Sequence, residues 1–76
     1  MDIKLRNAKD VADFLDTVSH FDEDVNLHID SQIIDAKSLI ILMNVIDLNR
    51  HLQVEIVTNS DERRNVFEHE MEKFEL

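Results

Sequence analysis

The sequence predicts an α+β domain (α/β in the broad sense): one four-stranded, mostly antiparallel sheet with helices on one face, in the order β-α-β-β-α-β-α. Three observations predict it. Val11 to Phe21 and Val66 to Phe74 carry apolar residues at helical spacing. Val25–Ile29 and Leu52–Thr58 alternate apolar with polar residues, as half-buried strands do. Between them, Asp35 to Ile46 (DAKSLIILMNVI) is a third helical stretch, apolar on nearly every side.

Each element has its own signal. Met1 to Arg6 places Ile3 and Leu5 on one side and Asp2, Lys4 and Arg6 on the other, a short half-buried strand. Asn7 or Asp10 can cap the helix that follows, expected over Asp10 to His20. Its buried stripe is Val11, Phe14, Leu15, Val18 and Phe21, and Asp10, Asp13 and Asp16 lie opposite. After the acidic run Asp22-Glu23-Asp24 comes the strand Val25–Ile29. Asp30-Ser31 then turns the chain into a second strand, Gln32 to Asp35. Asp35 or Ser38 can cap the apolar helix, on which Leu39, Leu42, Met43 and Ile46 share a face. Asp47 to His51 is a polar connection, and Leu52–Thr58 is the clearest strand. Asn59 or Ser60 caps a last helix whose buried stripe is Val66, Phe67, Met71 and Phe74.

Composition narrows the function. Seventy-six residues make a single domain, 1–76. A chain of that size buries only about 60% of its unfolded surface, so its core is thin. There is no Cys, hence no disulfide and no thiolate metal site. There is no Gly either, which excludes a glycine-rich phosphate cradle. The formal charge of −9 opposes binding to a phosphate backbone, so no nucleic-acid partner is expected. No stretch approaches the ~18 consecutive apolar residues of a membrane span, and the N-terminus is too polar for a signal peptide. The expectation is a soluble, cytoplasmic protein.

With its elements in this order, the chain resembles HPr, the histidine-containing phosphocarrier of the bacterial sugar phosphotransferase system. The resemblance runs from about Val11 to Phe74. It is carried by VADFLDTVSHF, by DVNLHIDSQIIDAKSLIILM and by LQVEIVT with an acidic helix after it. Its most specific fragments are Asp24-Val25-Asn26-Leu27 and Lys37-Ser38. It implies an open-faced β-sandwich. In the family, a loop after the first strand carries a histidine, followed two residues on by an arginine and then a proline. That histidine takes a phosphoryl group from phosphoenolpyruvate by way of Enzyme I and hands it to sugar-specific transporters. Here Ala8 stands at the histidine, Asp10 at the arginine and Val11 at the proline, and the loop is shortened. The resemblance therefore implies a degenerate phosphocarrier site.

Elementary chemistry agrees. Phosphohistidine needs an imidazole near a helix N-terminus and a cation to hold the phosphate. No histidine precedes His20. Asp10 would oppose a phosphate by about 1–4 kcal/mol per charge pair at ~4 Å. Arg6 and Lys9 could offset this in part, but neither supplies the nucleophile.

Two positions keep the family's pattern. Ser38 matches a serine that a dedicated kinase phosphorylates in some bacteria, after which the protein binds a transcriptional regulator. Lys37 would add a neighbouring cation, although serine is also an ordinary residue for a helix's first turn. Leu39, Ile40 and Met43 match the apolar surface by which family members dock on partners. An apolar helix on so small a domain likewise points to a protein contact, with a partner or with a second copy. His20, His28, His51 and His69 are scattered and read as surface residues. His20 with Asp22 and Asp24 does not enforce a metal geometry, so no metal and no cofactor is expected. Paired carboxylates near a nucleophile are absent from the pattern, so the expectation is not an enzyme. Four functions follow: an HPr-like regulatory or protein-binding module acting through the 38–46 surface; a Ser38-phosphorylated regulator; a self-associating structural domain; and a phosphocarrier using a displaced histidine, His51 or His20.

Overall fold

A computed structural model describes residues 1–29, 31–38 and 51–76. The elements are β1 (Asp2–Ile3), α1 (Ala8–Ser19), β2 (Val25–Ile29), β3 (Gln32–Asp35), β4 (Leu52–Ile56) and α2 (Asp61–Met71), which runs on into a 3-10 turn, Glu72–Phe74. The helix expected to start at Asp35 does not start there: Asp35 still pairs in β3 and Ala36–Lys37 form a turn. Positions 39–46, with Leu39, Ile40 and Met43, lie outside the described residues, as do positions 47–50 of the polar connection.

The four strands form one antiparallel sheet in the order β1-β4-β2-β3. Its registers set the two faces. Val25 opposes Ile56, Leu27 opposes Val54 and Ile3 opposes Leu52, and all six side chains are buried. The alternate row, Asp2, Gln53, His28 and Ile33, runs across the other face. The buried row meets Phe14 and Val18 of α1, Phe67 and Met71 of α2, and Phe74. Phe14 meets Phe74 edge to face at 5.8 Å, and Phe21 meets Phe67 the same way at 5.3 Å. Both helices therefore cover one side of the sheet, which leaves the sandwich open on the other. Beyond Phe74 the chain returns to β1. The Lys4 N–H donates to the Phe74 carbonyl at 2.9 Å, Glu75 bridges Ile3, and the Leu76 N–H donates to the Asp2 carbonyl. The outer edge of β1 is thus covered by the chain's own end.

Several boundaries differ from the sequence expectation. The first helix starts at Ala8 rather than Asp10, because Asn7 is the cap: its side chain accepts the Asp10 N–H, so Asp10 lies inside the first turn. Of the predicted stripe, Phe14, Val18 and Phe21 are buried, while Val11 and Leu15 are half-buried at its margin. The first strand pairs only over Asp2–Ile3, although Leu5 is still fully buried. The fourth strand stops at Ile56, and Ser60 rather than Asn59 caps α2. Val66 is a correction to the last stripe. It is 41% exposed, because the axis of α2 turns Phe67 and Met71 to the sheet and carries their neighbour past the contact. Among the described residues, no helix is long and apolar enough to cross a membrane.

Candidate functional site

The mouth of α1 brings together Ala8, Asp10 and Val11, the positions that the resemblance matched to the phosphocarrier loop. Asn7 is extended (φ −160°, ψ 177°), and its Oδ1 accepts the Asp10 N–H at 2.8 Å. Asp10 answers in the other direction, its Oδ2 accepting the Arg6 N–H at 2.8 Å. This reciprocal arrangement resembles a capping box displaced by one residue. It places a carboxylate at the positive end of the helix, where the dipole and the otherwise unpaired N–H groups would draw an anion. Ala8, the first residue of the helix, is exposed and offers only a methyl group. Val11 closes the turn, its N–H donating to the Asn7 carbonyl at 3.2 Å. The nearby cations are turned elsewhere. Lys9 pairs with Asp13 at 2.8 Å, which lowers the Asp13 pKa and raises that of Lys9. One Arg6 Nη reaches the Lys4 carbonyl at 3.4 Å. The mouth thus holds Ala8, Asp10 and Val11 within one turn, with an anion of its own.

Ser38 lies at the end of the segment after β3. Asp35 organises that turn: its Oδ1 accepts the Lys37 N–H at 2.9 Å, and its carbonyl accepts the Ser38 N–H at 3.1 Å. Ser38 is half-buried. Lys37, the expected neighbouring cation, sends its ammonium to the Phe21 carbonyl at the end of α1. That contact belongs to a cluster the sequence did not disclose. Arg63 of α2 grips Glu23 with a two-pronged hydrogen bond, Nε to Oε2 at 2.8 Å and Nη2 to Oε1 at 3.1 Å. The same guanidinium lies 5.1 Å from the centre of the Phe21 ring. The Arg63 hydrogen bonds are the chief reason that the Glu23 pKa is lowered to about 2, and the charge of Lys37 adds to it. The buried stripe placed Phe21 in the core, but no local pattern links Glu23 to an arginine so far along the chain.

The histidines take up separate places. His28 is half-buried on the open face of the sheet, 3.1 Å from Glu55, and His51 is 3.1 Å from Asp2. Hydrogen bonds to His51 and then to Gln53 lower the Asp2 pKa. His69 lies 3.6 Å from Glu72. His20 is the C-cap of α1. None of the four reaches the α1 mouth among these contacts. Among the described residues, no three histidine or carboxylate side chains are grouped to hold a metal ion. A cleft of about 660 Å³ opens between the end of β4 and α2, lined in part by Val57, Arg64 and Phe67. Its apolar floor is already covered, since Val54 and Phe67 are each only 1% exposed.

No protein-family model matches the chain, and no curated protein matches it by sequence. One solved structure that is similar to it is HPr-C-His from Thermoanaerobacter tengcongensis. The likeness covers 96% of this chain and 89% of that one, with a TM-score of 0.71 and 18% sequence identity. At that identity the likeness is one of architecture, and the chain has an HPr-like fold.

Proposed function

We propose that this chain is an HPr-like domain without phosphocarrier activity, not an enzyme, that acts as a regulatory or protein-binding module through the 38–46 surface. The observation that carries the first half is the Asp10 carboxylate, held by the Arg6 N–H at the positive end of α1. A phosphoryl group there would meet a fixed negative charge, with Ala8 in place of a nucleophile. The second half is supported by sequence: Leu39, Ile40 and Met43 lie in the most apolar run of the chain. A Ser38-phosphorylated regulator of the catabolite-control type is the second reading. It is weakened by Lys37, whose ammonium is committed to the Phe21 carbonyl instead of to the serine.

One incubation with Enzyme I and phosphoenolpyruvate, with an authentic HPr as positive control, tests the reading. Intact-mass analysis at neutral pH is expected to show no acid-labile phosphoryl adduct. An adduct mapped to His20 or His51 would overturn the proposal in favour of a displaced phosphocarrier. If Enzyme I binds without transfer, Ile40→Asp should weaken that binding about tenfold or more, equivalent to ~1.4 kcal/mol. Unchanged binding would remove the docking role of the 38–46 surface.

A further inference from the structure

We infer that Lys37, Phe21, Glu23 and Arg63 act as one coupled clasp, which ties the turn Asp35 to Ser38 to the end of α1 and to the start of α2. The clasp sets the point from which the chain enters positions 39–46. This goes beyond the reading above and holds whether or not that segment binds a partner. The device begins with a need at the end of α1. A helix finishes in carbonyl groups without intrahelical partners and in the negative end of its dipole, and both favour a cation. α1 carries no basic residue in its last turn, and its C-cap is His20. The cation comes from a distant part of the chain. Lys37, 16 positions on, sends its ammonium to the carbonyl of Phe21, the residue after that cap.

The turn that carries Lys37 is held at both sides of it. On one side the Ala36 N–H donates to the Val25 carbonyl at 2.9 Å, and Ala36 is fully buried. On the other, the Asp35 carbonyl accepts the Ser38 N–H at 3.1 Å. The Lys37 N–H itself goes to Asp35 Oδ1 at 2.9 Å. The ammonium is thus the turn's link to α1, and the backbone bonds are its link to β2 and β3.

Coupling follows from two shared members. Phe21 is the first: its carbonyl takes Lys37, and its ring takes the Arg63 guanidinium, 5.1 Å from the centroid. The same ring is pinned edge to face by Phe67 of α2 at 5.3 Å. Glu23 is the second. Its carboxylate accepts both hydrogen bonds of the Arg63 fork, and the charge of Lys37 acts on it as well. The Glu23 side chain is only 20% exposed, so solvent and salt screen these charges less than they would on an open surface. The charges of Asp22 and Glu62 also act on Arg63 and favour its charged form. Two cations from different segments therefore hold the same two residues. Once one is removed, Phe21 and Glu23 are already loosened, and removing the other has less left to undo.

Amide hydrogen exchange and urea unfolding of the full chain test this. Lys37 is exposed and the Arg63 side chain is 42% exposed, so substitutions at either leave the buried core intact. In Lys37→Met, the Lys37 and Ser38 amides should exchange about tenfold or more faster, measured against the Leu27 amide of β2, as expected for one lost charge-assisted hydrogen bond. Lys37→Arg keeps the charge and the donors and should retain most of the protection. Arg63→Met should speed exchange at Ser38 too, although Arg63 belongs to a different element. Arg63→Lys should do the same, because a lysine cannot make the two-pronged bond. In urea, the effects of Lys37→Met and Arg63→Met on the folding constant should combine to less than their product by about twofold or more, the ~0.5 kcal/mol beyond which two sites count as coupled. A Ser38 amide that Arg63→Met leaves at its wild-type rate, effects that simply multiply, or equal acceleration at Ser38 and Leu27 would each overturn the inference. Neither measurement involves Enzyme I, so the clasp and the docking reading fail separately.

Discussion

Phe67 and its neighbour Val66 offer the sharpest test of how α2 is seated. Phe67 is 1% exposed and meets Phe21 edge to face at 5.3 Å, whereas Val66 is 41% exposed. Phe67→Ala removes a buried ring, leaves a cavity and ends an aromatic pair. Such truncations cost about 3–5 kcal/mol, and the pair places this one in the upper half of the range. A domain of 76 residues has a total stability of roughly 4–11 kcal/mol at ~0.05–0.15 kcal/mol per residue. The variant should therefore sit near the edge of folding, with its thermal midpoint lowered by tens of degrees. Val66→Ala removes two methyl groups that are only partly covered, about 1 kcal/mol of burial, and alanine's helix propensity returns about half of that. Its net cost should be ~0.5 kcal/mol. Urea unfolding followed by circular dichroism at the helix band measures both. Equal losses in the two variants, or a loss below ~2 kcal/mol in Phe67→Ala, would refute the seating of α2 described above.

Two further outcomes can be checked in the same way. Asn7→Ala should cost about 1 kcal/mol, because the Asp10 N–H loses its side-chain acceptor, while Asn7→Asp should keep most of that stability; urea midpoints compare them, and equal losses would mean that Asn7 is not the working cap. The Glu23 carboxyl, lowered by Arg63 from 4.5 to about 2, contributes stability that is fully present above its unfolded value and lost as pH falls through about 2. Between those limits the wild type should lose stability more steeply than Glu23→Gln, and parallel acid-unfolding curves would contradict the assignment.

Much of the architecture was visible in local pattern. Val25–Ile29 alternates without a fault, and the structure pairs all five residues as β2. Phe14 and Val18 stand at helical spacing and end in the core. Resemblance added the likeness to HPr, and the HPr-like fold bears out the architecture it implied. At the α1 mouth, the resemblance singled out Ala8, Asp10 and Val11, and the residues themselves allowed two caps. The choice of Asn7 depended on which hydrogen bonds could close together.

Periodicity of apolar residues, the absence of glycine and cysteine, and the excess of acids were determined by the sequence alone, because each is a property of neighbours or of simple counts. They settle which stretches can become strands or helices and which chemistries lack their parts. The Glu23–Arg63 grip across 40 positions and the covered edge at β1 were decided only in three dimensions. Those features depend on which segments the packed core brings side by side, and that is a cooperative outcome of the whole chain rather than of any window along it.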